Sequence, residues 1–465
     1  MKKNTLEKNT GNNLERKLGL FPVTNIVIAN MIGAGIFTTS GLLMADLKNP
    51  LLMMGLWIAG GVIALCGALS YGELGAAMPR AGGEYIFLSR LYHPVLGFLS
   101  GWVSFFVGFS APIAASAIGF SEYLTRAFPS LLHPGILPES IESVVLKKCY
   151  AILVIILFTA IHIRGIVFGA RVQNFLTLLK VGLILGLVMF GFLLGTGNFN
   201  HLSQGSTFTL DFSGLKTIGL SLMWIMFAYS GWNASAYIGS EVKDPRENMP
   251  RSLILGTGAV ILVYFFINLF YLYAIPPAKM NGVISVAGLA AGNSFGNTIE
   301  NFISVLVGFA LFSSLSAFVI LGPRVYYSMA VDGYFFKFAA EVHPRFGVPA
   351  KSILLQGVFA TVMVLFGTFD QVLTYMGFSL GIFPILTVAG IFKMRPRGNI
   401  PYKSPGFPFV QLVFMLFGVS ILLLSFFERP VESSIALGTV AIGIPVYWFF
   451  KRARGSATPP YSRSV

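Results

Sequence analysis

Apolar residues in this chain come in long runs closed by charged or turn-forming residues, with no sustained alternation of apolar and polar positions. The runs lie at about Leu20 to Ala45, Leu52 to Ala77, Pro94 to Leu124, Cys149 to Ile163, Val172 to Leu194 and Leu215 to Gly239. Six more lie at about Leu253 to Ile275, Phe302 to Met329, Ile353 to Phe369, Leu373 to Phe392, Phe409 to Phe427 and Ile435 to Phe450. A spanning helix needs roughly 20 apolar residues, so the pattern predicts an all-α integral membrane protein with twelve transmembrane helices. The fourth run is short for a full crossing and calls for local bilayer thinning or snorkelling by Lys147 and Lys148.

Two runs contain an interruption at mid-depth. In the first, Asn30-Met31-Ile32-Gly33-Ala34-Gly35-Ile36-Phe37 places two glycines two residues apart. A helix broken there frees backbone N–H and C=O groups that hydrocarbon cannot satisfy, so such a break persists only where it is buried in protein or lines a polar cavity. The alternative is that Gly33 and Gly35 only let a neighbouring helix approach closely. In the sixth, Phe227-Ala228-Tyr229-Ser230-Gly231-Trp232-Asn233 again puts small and polar residues at mid-depth. Each run is followed by a short polar stretch, Asp46-Leu47-Lys48-Asn49-Pro50 in one case and Glu241-Val242-Lys243-Asp244-Pro245 in the other. A shift of 195 positions superposes Lys48 on Lys243, Pro50 on Pro245, and Gly33 to Gly35 on Ala228 to Ser230. Interrupted helices at corresponding positions of two halves are the pattern of an inverted-repeat transporter. Because the shift spans five helices, the second half enters from the opposite side.

Composition agrees: 55% of residues are hydrophobic and 11% charged, against about 25% charged in a soluble domain, and the mean hydropathy is +0.76. The net charge of +14 does not point to nucleic acid, because the basic residues do not gather on one face but fall between the apolar runs. Starting inside, the cytoplasmic segments collect 24 lysines and arginines and the outer ones 7, with Lys180 left within a span. The positive-inside rule therefore places both termini in the cytoplasm. No cleaved signal peptide is expected at the N-terminus. Cys66 and Cys149 read as unpaired thiols. His93, His133, His162, His201 and His343 are scattered singly, which suggests no metal site.

The motifs Gly33-Ala34-Gly35-Ile36-Phe37, Pro79-Arg80-Ala81-Gly82-Gly83-Glu84-Tyr85, Phe227 to Asn233, Glu241 to Pro245 and Gly322-Pro323-Arg324, in this order, resemble the amino acid, polyamine and organocation superfamily of transporters. The likeness is to its L-amino-acid exchanger branch and related bacterial permeases. It implies the LeuT-type fold: five plus five inverted helices, with helices 1 and 6 interrupted and two helices appended at the C-terminus. The expected division is a cytoplasmic tail at 1–19, repeats at 20–194 and 214–393, two further spans at 406–451, and a cytoplasmic tail at 452–465. The resemblance also implies a cytoplasmic gating segment from Pro79 to Leu91, for which an ordinary Gly-Pro turn is the plainer reading.

For the site, the resemblance and the physics of broken helices agree. An amino acid brings a carboxylate and an ammonium that are each costly to bury unpaired. The N–H groups of Gly33, Ala34 and Gly35, at a helix N-terminus, suit the carboxylate. The C=O groups of Met31, Ile32, Phe227, Ala228 and Ser230, with Gly231 beside them, suit the ammonium. Ala34 stands where many relatives carry serine, which leaves the backbone donors more of the carboxylate. Phe227 resembles the aromatic that covers the substrate, a gate; packing in the core is the alternative. Tyr229, Trp232 and Asn233 either line the cavity or brace the unwound segment.

Lys180 lies about 14 Å along its helix from Arg171 at 1.5 Å per residue, and an intramembrane lysine is by default a functional residue. It resembles the lysine that, in sodium-independent relatives, takes the place of a sodium ion between the first, fifth and eighth spans, with Ser313 and Ser314 as neighbours. It serves either as a tether of fixed charge or as a proton carrier. A carrier must titrate, which requires its pKa to fall from about 10.4 by desolvation.

The resulting expectation is a secondary active transporter of neutral L-amino acids in the plasma membrane. It would work by alternating access, without sodium or cofactor, as an exchanger or a proton symporter. An accessory subunit stays open. A cationic amino acid or polyamine carrier is the alternative within transporters; a cationic substrate wants acidic or strongly aromatic cavity walls, whereas the mid-membrane region offers Ala34, Ser230 and the positive Lys180, which favours neutral substrates. An intramembrane enzyme is disfavoured by the lack of HExxH or paired aspartates. A channel or receptor is disfavoured because it does not call for two interrupted helices.

Overall fold

The computed structural model describes residues 14–132, 139–283, 286–366, 369–397 and 400–454. Residues 1–13 of the expected N-terminal tail, 455–465 of the C-terminal tail, and His133 lie outside the described residues. Among the described residues there are helices and no strands, apart from isolated bridges pairing Leu18 with Val242 and Ala81 with Ile238. Nine helices there are long and apolar enough to cross a membrane, and Phe212–Ala228, Ala350–Leu365 and Gly381–Met394 are shorter apolar helices. The protein is a multi-pass integral membrane protein.

The helices differ in how much they bury. In the most apolar window of Asn301–Val331, 78% is covered by other parts of the chain, against 22% in Phe409–Glu428. Leu193, Leu416 and Phe449 are more than half exposed, as residues are when lipid is the solvent. The centre is built where Pro245–Ala274 packs on Pro50–Ala77 and on Leu20–Met31, and where Asn297–Val331 packs on Ala111–Ala127 and Ile166–Leu194.

Several boundaries differ from the sequence reading. The fourth apolar run extends well before Cys149: its helix starts at Glu139, and Ser143–Ile163 alone gives a 21-residue apolar span. It is not short. Its basic pair is satisfied within the protein, because Lys147 pairs with Glu122 at 2.7 Å and Lys148 donates to the Leu365 carbonyl at 2.6 Å. The fifth helix likewise begins at Ile166, before Arg171, and runs to Leu194. The third is one continuous span, Pro94–Thr125, in which Ser104–Ser110 is wound as a π-helix. Cys66 and Cys149 are unpaired thiols.

Both interruptions exist. The helix Leu20–Met31 stops, Ile32 and Gly33 adopt extended dihedrals, and a second helix runs Ala34–Leu47. The helix Phe212–Ala228 gives way to a turn over residues 229–233, in which Gly231 has φ +98°, before the single turn Ala234–Tyr237.

A clasped break, an open break and a candidate transport site

The two breaks touch. A Cβ built on Gly35 would stand 2.7 Å from Ala228 Cα, and one on Gly231 would stand 2.8 Å from the Asn30 carbonyl carbon. No side chain fits at either point without separating the helices. Gly35 therefore serves close approach as well as opening a helix N-terminus.

The carbonyls freed at the first break are nearly all taken. Lys180, the fifteenth of the 29 residues of Ile166–Leu194, is 1% exposed. Its Nζ donates to Ala29 O at 3.1 Å, to Ile32 O, and to Ser314 Oγ at 3.1 Å. A lysine ammonium has three donors and no acceptor, so each donor has a partner. The C-terminal end of Leu20–Met31 also carries partial negative charge, which favours the ammonium. Ser314 donates in turn to Ile32 O at 2.7 Å. Ser313, one residue away, turns elsewhere: its Oγ and carbonyl each accept from Gln173 Nε2 at 3.0 Å. Of the two serines, Ser314 is the one that bonds to Lys180.

Sequence reasoning missed Tyr264. Its hydroxyl lies 2.7 Å from Met31 O and 2.9 Å from Ala228 O, so one side chain bridges the C-terminal ends of the two interrupted helices. The ring is held edge-on by Trp57, with centroids 5.4 Å apart, and lies against Tyr229 at 4.9 Å. Tyr229 is itself fixed by a 3.2 Å bond from its hydroxyl to Trp57 O. It braces the turn from within the core. A tyrosine inside a continuous apolar run looks like an ordinary core aromatic, and only the tertiary fold brings it to both breaks.

The second break faces a cavity of about 140 Å³. Phe227, Ser230, Gly231, Trp232, Asn233 and Tyr237 line it from the sixth run, and Asn30 lines it from the first. The third span contributes Ser100, Ser104, Gly108 and Phe109 at and beside the π-helical segment, and such segments occur often at functional sites. Met31, Ile32, Gly33, Ala34, Gly35 and Ala228 are packed around the breaks and are not part of this lining. The Asn30 side chain is 4% exposed, and its Oδ1 has no hydrogen-bond partner. Phe227 O already accepts from the Ser230 N–H at 3.0 Å.

Beyond the second break the chain is zipped to the loop after the second span. Gly82 N–H donates to Tyr237 O at 3.0 Å, Gly83 N–H to Ala236 O at 3.2 Å, and Ala81 N–H to Ser240 Oγ at 2.9 Å. Both glycines have positive φ, +124° and +53°, which lets the backbone turn flat against its partner. Arg324, counted with the loops from sequence, lies inside Asn297–Val331. It is 1% exposed and forms a two-point ion pair with Glu241 at 2.8 and 2.9 Å. Glu241 O in turn accepts from the N–H groups of Lys17 and Leu18, both at 2.9 Å. The loop, the N-terminal segment and the chain beyond the second break thus form one sealed face.

The amino acid permease family matches this chain over residues 18–450. The chain is 25% identical over 438 residues to the large neutral amino acids transporter small subunit 2 of Mus musculus, covering 94% of this chain and 81% of that protein. It is 25% identical over 463 residues to the Asc-type amino acid transporter 1 of Mus musculus, covering 97% and 84%. It is 26% identical over 454 residues to the serine/threonine exchanger SteT of Bacillus subtilis (strain 168), covering 96% and 99%. These proteins are transporters, not enzymes. With a match that spans nearly the whole described chain, the protein belongs to the amino acid permease family.

Proposed function

We propose that the protein is a sodium-independent secondary transporter of neutral L-amino acids, working as an exchanger by alternating access. The observation that carries this reading is the pair of touching interrupted helices, the first of them held by Lys180 from the helix Ile166–Leu194. The fixed ammonium engages Ala29 O, Ile32 O and Ser314, so a cation already stands where a coupling sodium would be needed. In this reading twelve helices cross the plasma membrane, as repeats at 20–194 and 214–393 followed by two spans at 406–451. The tails at 1–19 and 452–465 are cytoplasmic, and the zipped loop from Pro79 is the inner gate. The substrate carboxylate is assigned to the N–H groups of Gly33, Ala34 and Gly35, which in this structure are packed beside the cavity and do not line it. With Met31, Ile32 and Ala228 carbonyls engaged by Tyr264, Lys180 and Ser314, the ammonium falls to Ser230 and Gly231 of the second break. Phe227 covers it.

A second reading, a carrier of cationic amino acids or polyamines, is favoured by the aromatic walls of the cavity, where Phe109, Phe227, Trp232, Phe318, Phe383 and Phe414 meet. Aromatic faces attract organic cations. Counterflow in proteoliposomes loaded with unlabelled amino acid separates the readings. Accumulation of labelled neutral amino acids supports the first, and accumulation confined to lysine, arginine or diamines supports the second. Absence of counterflow with every member of the panel contradicts both.

A further inference from the structure

Among the described residues that line the cavity, Glu84 is the one carboxylate. It opens the short helix Glu84–Leu91 directly after the zipped loop and is 3% exposed. Tyr71 of the second span donates to Oε1 at 2.9 Å, Asn233 Nδ2 donates to Oε1 at 2.6 Å, and Tyr237 donates to Oε2. Asn233 ends the second break and Tyr237 is the last residue of the single turn that follows it. The carboxylate therefore ties three pieces together: the second span, the gate loop and the chain beyond the break.

The charged groups on the elements packed around Glu84 are engaged elsewhere. Arg80 lies 3.8 Å from Asp332, which also accepts from Tyr85 at 2.7 Å. Arg324 is paired with Glu241, and Arg395 with Glu73 at 2.7 Å. Lys393 lies over the Tyr92 ring, and Arg90, on the same short helix as Glu84, sits in the field of Asp332. Glu84 is thus a buried carboxylate held by neutral donors and in contact with the transport cavity. Two hydroxyls and an amide already surround it, so a proton fits there more readily than a bulky ammonium.

We propose that Glu84 is a proton-binding site that latches the inner gate. This rests on the reading of the protein as an amino acid transporter. Ionised, Glu84 accepts three hydrogen bonds of the charge-assisted kind, which are stronger than neutral ones, and holds the chain beyond the second break against Tyr71 and the loop. A proton entering from cavity water turns one oxygen into a donor. At least one of the three incoming bonds then loses its charged acceptor or reverses its direction, and the zip from Gly82 to Tyr237 loses support. Acid in the cavity water opens the gate. In this account Glu84 is the group that senses pH.

The test is the dependence of counterflow rate on pH, set equal on both sides of the membrane, for wild type, Glu84→Gln and Tyr237→Phe in proteoliposomes. Wild type accelerates as pH falls, approaching tenfold per unit where one proton is bound per opening. Glu84→Gln gives a flat profile. Tyr237→Phe removes one donor to the carboxylate, which then takes up its proton more readily, so the midpoint moves to higher pH; a purely structural role would not move it. A flat wild-type profile, or a Glu84→Gln profile that keeps the wild-type slope, overturns the proposal. Should Glu84→Gln fail to fold, an unmoved midpoint in Tyr237→Phe overturns it alone. Counterflow absent at every pH in wild type contradicts the transport reading instead.

Discussion

The two breaks in this protein are built to opposite ends. At the first, Ile32 and Gly33 interrupt the helix, and the carbonyls of Ala29, Met31 and Ile32 accept from Lys180, Tyr264 and Ser314. At the second, five residues are unwound, and Ser230 to Asn233 face the cavity. One break is fixed to the fifth, seventh and eighth apolar runs; the other connects the cavity to the sealed face. A transporter needs both, because a site that moved with its anchor would not change access. Four substitutions probe this contrast.

The largest effect is expected at the clasped break. Lys180→Met removes a charge and three donor contacts with little change in volume, and hydrogen bonds to charged groups contribute about 1.5–3 kcal/mol each. Counterflow should fall by well over about tenfold, the factor that corresponds to 1.4 kcal/mol, while size-exclusion profiles in detergent stay monodisperse. Transport close to wild type would mean that the first break needs no fixed cation.

Next comes the contact between the breaks. Gly231→Ala places a side chain at φ +98° and within 2.8 Å of the Asn30 backbone. The left-handed backbone alone costs about 1–2 kcal/mol in an L residue, and the clash adds to it. A lower thermal midpoint in detergent and reduced uptake should appear together.

Tyr264→Phe keeps the rings packed on Trp57 and Tyr229 but leaves Met31 O and Ala228 O without their shared donor. A neutral hydrogen bond contributes about 1 kcal/mol, so turnover should drop several-fold with little loss of folded protein. Phe227→Ala acts only on the open break. Apparent affinity should weaken a few-fold, read as a raised half-saturation concentration at unchanged protein level. A drop confined to folded yield would make Phe227 a core residue.

Much of this was legible because membrane burial writes long signals. The apolar runs located the helices, and the glycines and small residues at Gly33 to Gly35 and Ala228 to Gly231 located both breaks. A lone lysine in the middle of a span could not be overlooked. What escaped depends on partners distant in sequence. The fourth helix looked short because Lys147 and Lys148 read as its end, whereas Glu122 and the Leu365 carbonyl allow them inside it. Tyr264 had no local mark to distinguish it from other core aromatics. Glu84 stood in the sequence only as part of the Pro79 to Tyr85 motif, and the folded chain alone brings Tyr71, Asn233 and Tyr237 around it. Nor does any residue between Ser104 and Ser110 announce a π-helical turn, which depends on packing.

The most direct test of the account is amino acid uptake into proteoliposomes preloaded with unlabelled amino acid, with external sodium replaced by choline at fixed membrane potential. The ammonium of Lys180 already fills the first break, so uptake should be the same in both solutions. A steep dependence of uptake on sodium would contradict the placing of Lys180 as the resident cation and with it the assignment of the first break as a fixed anchor.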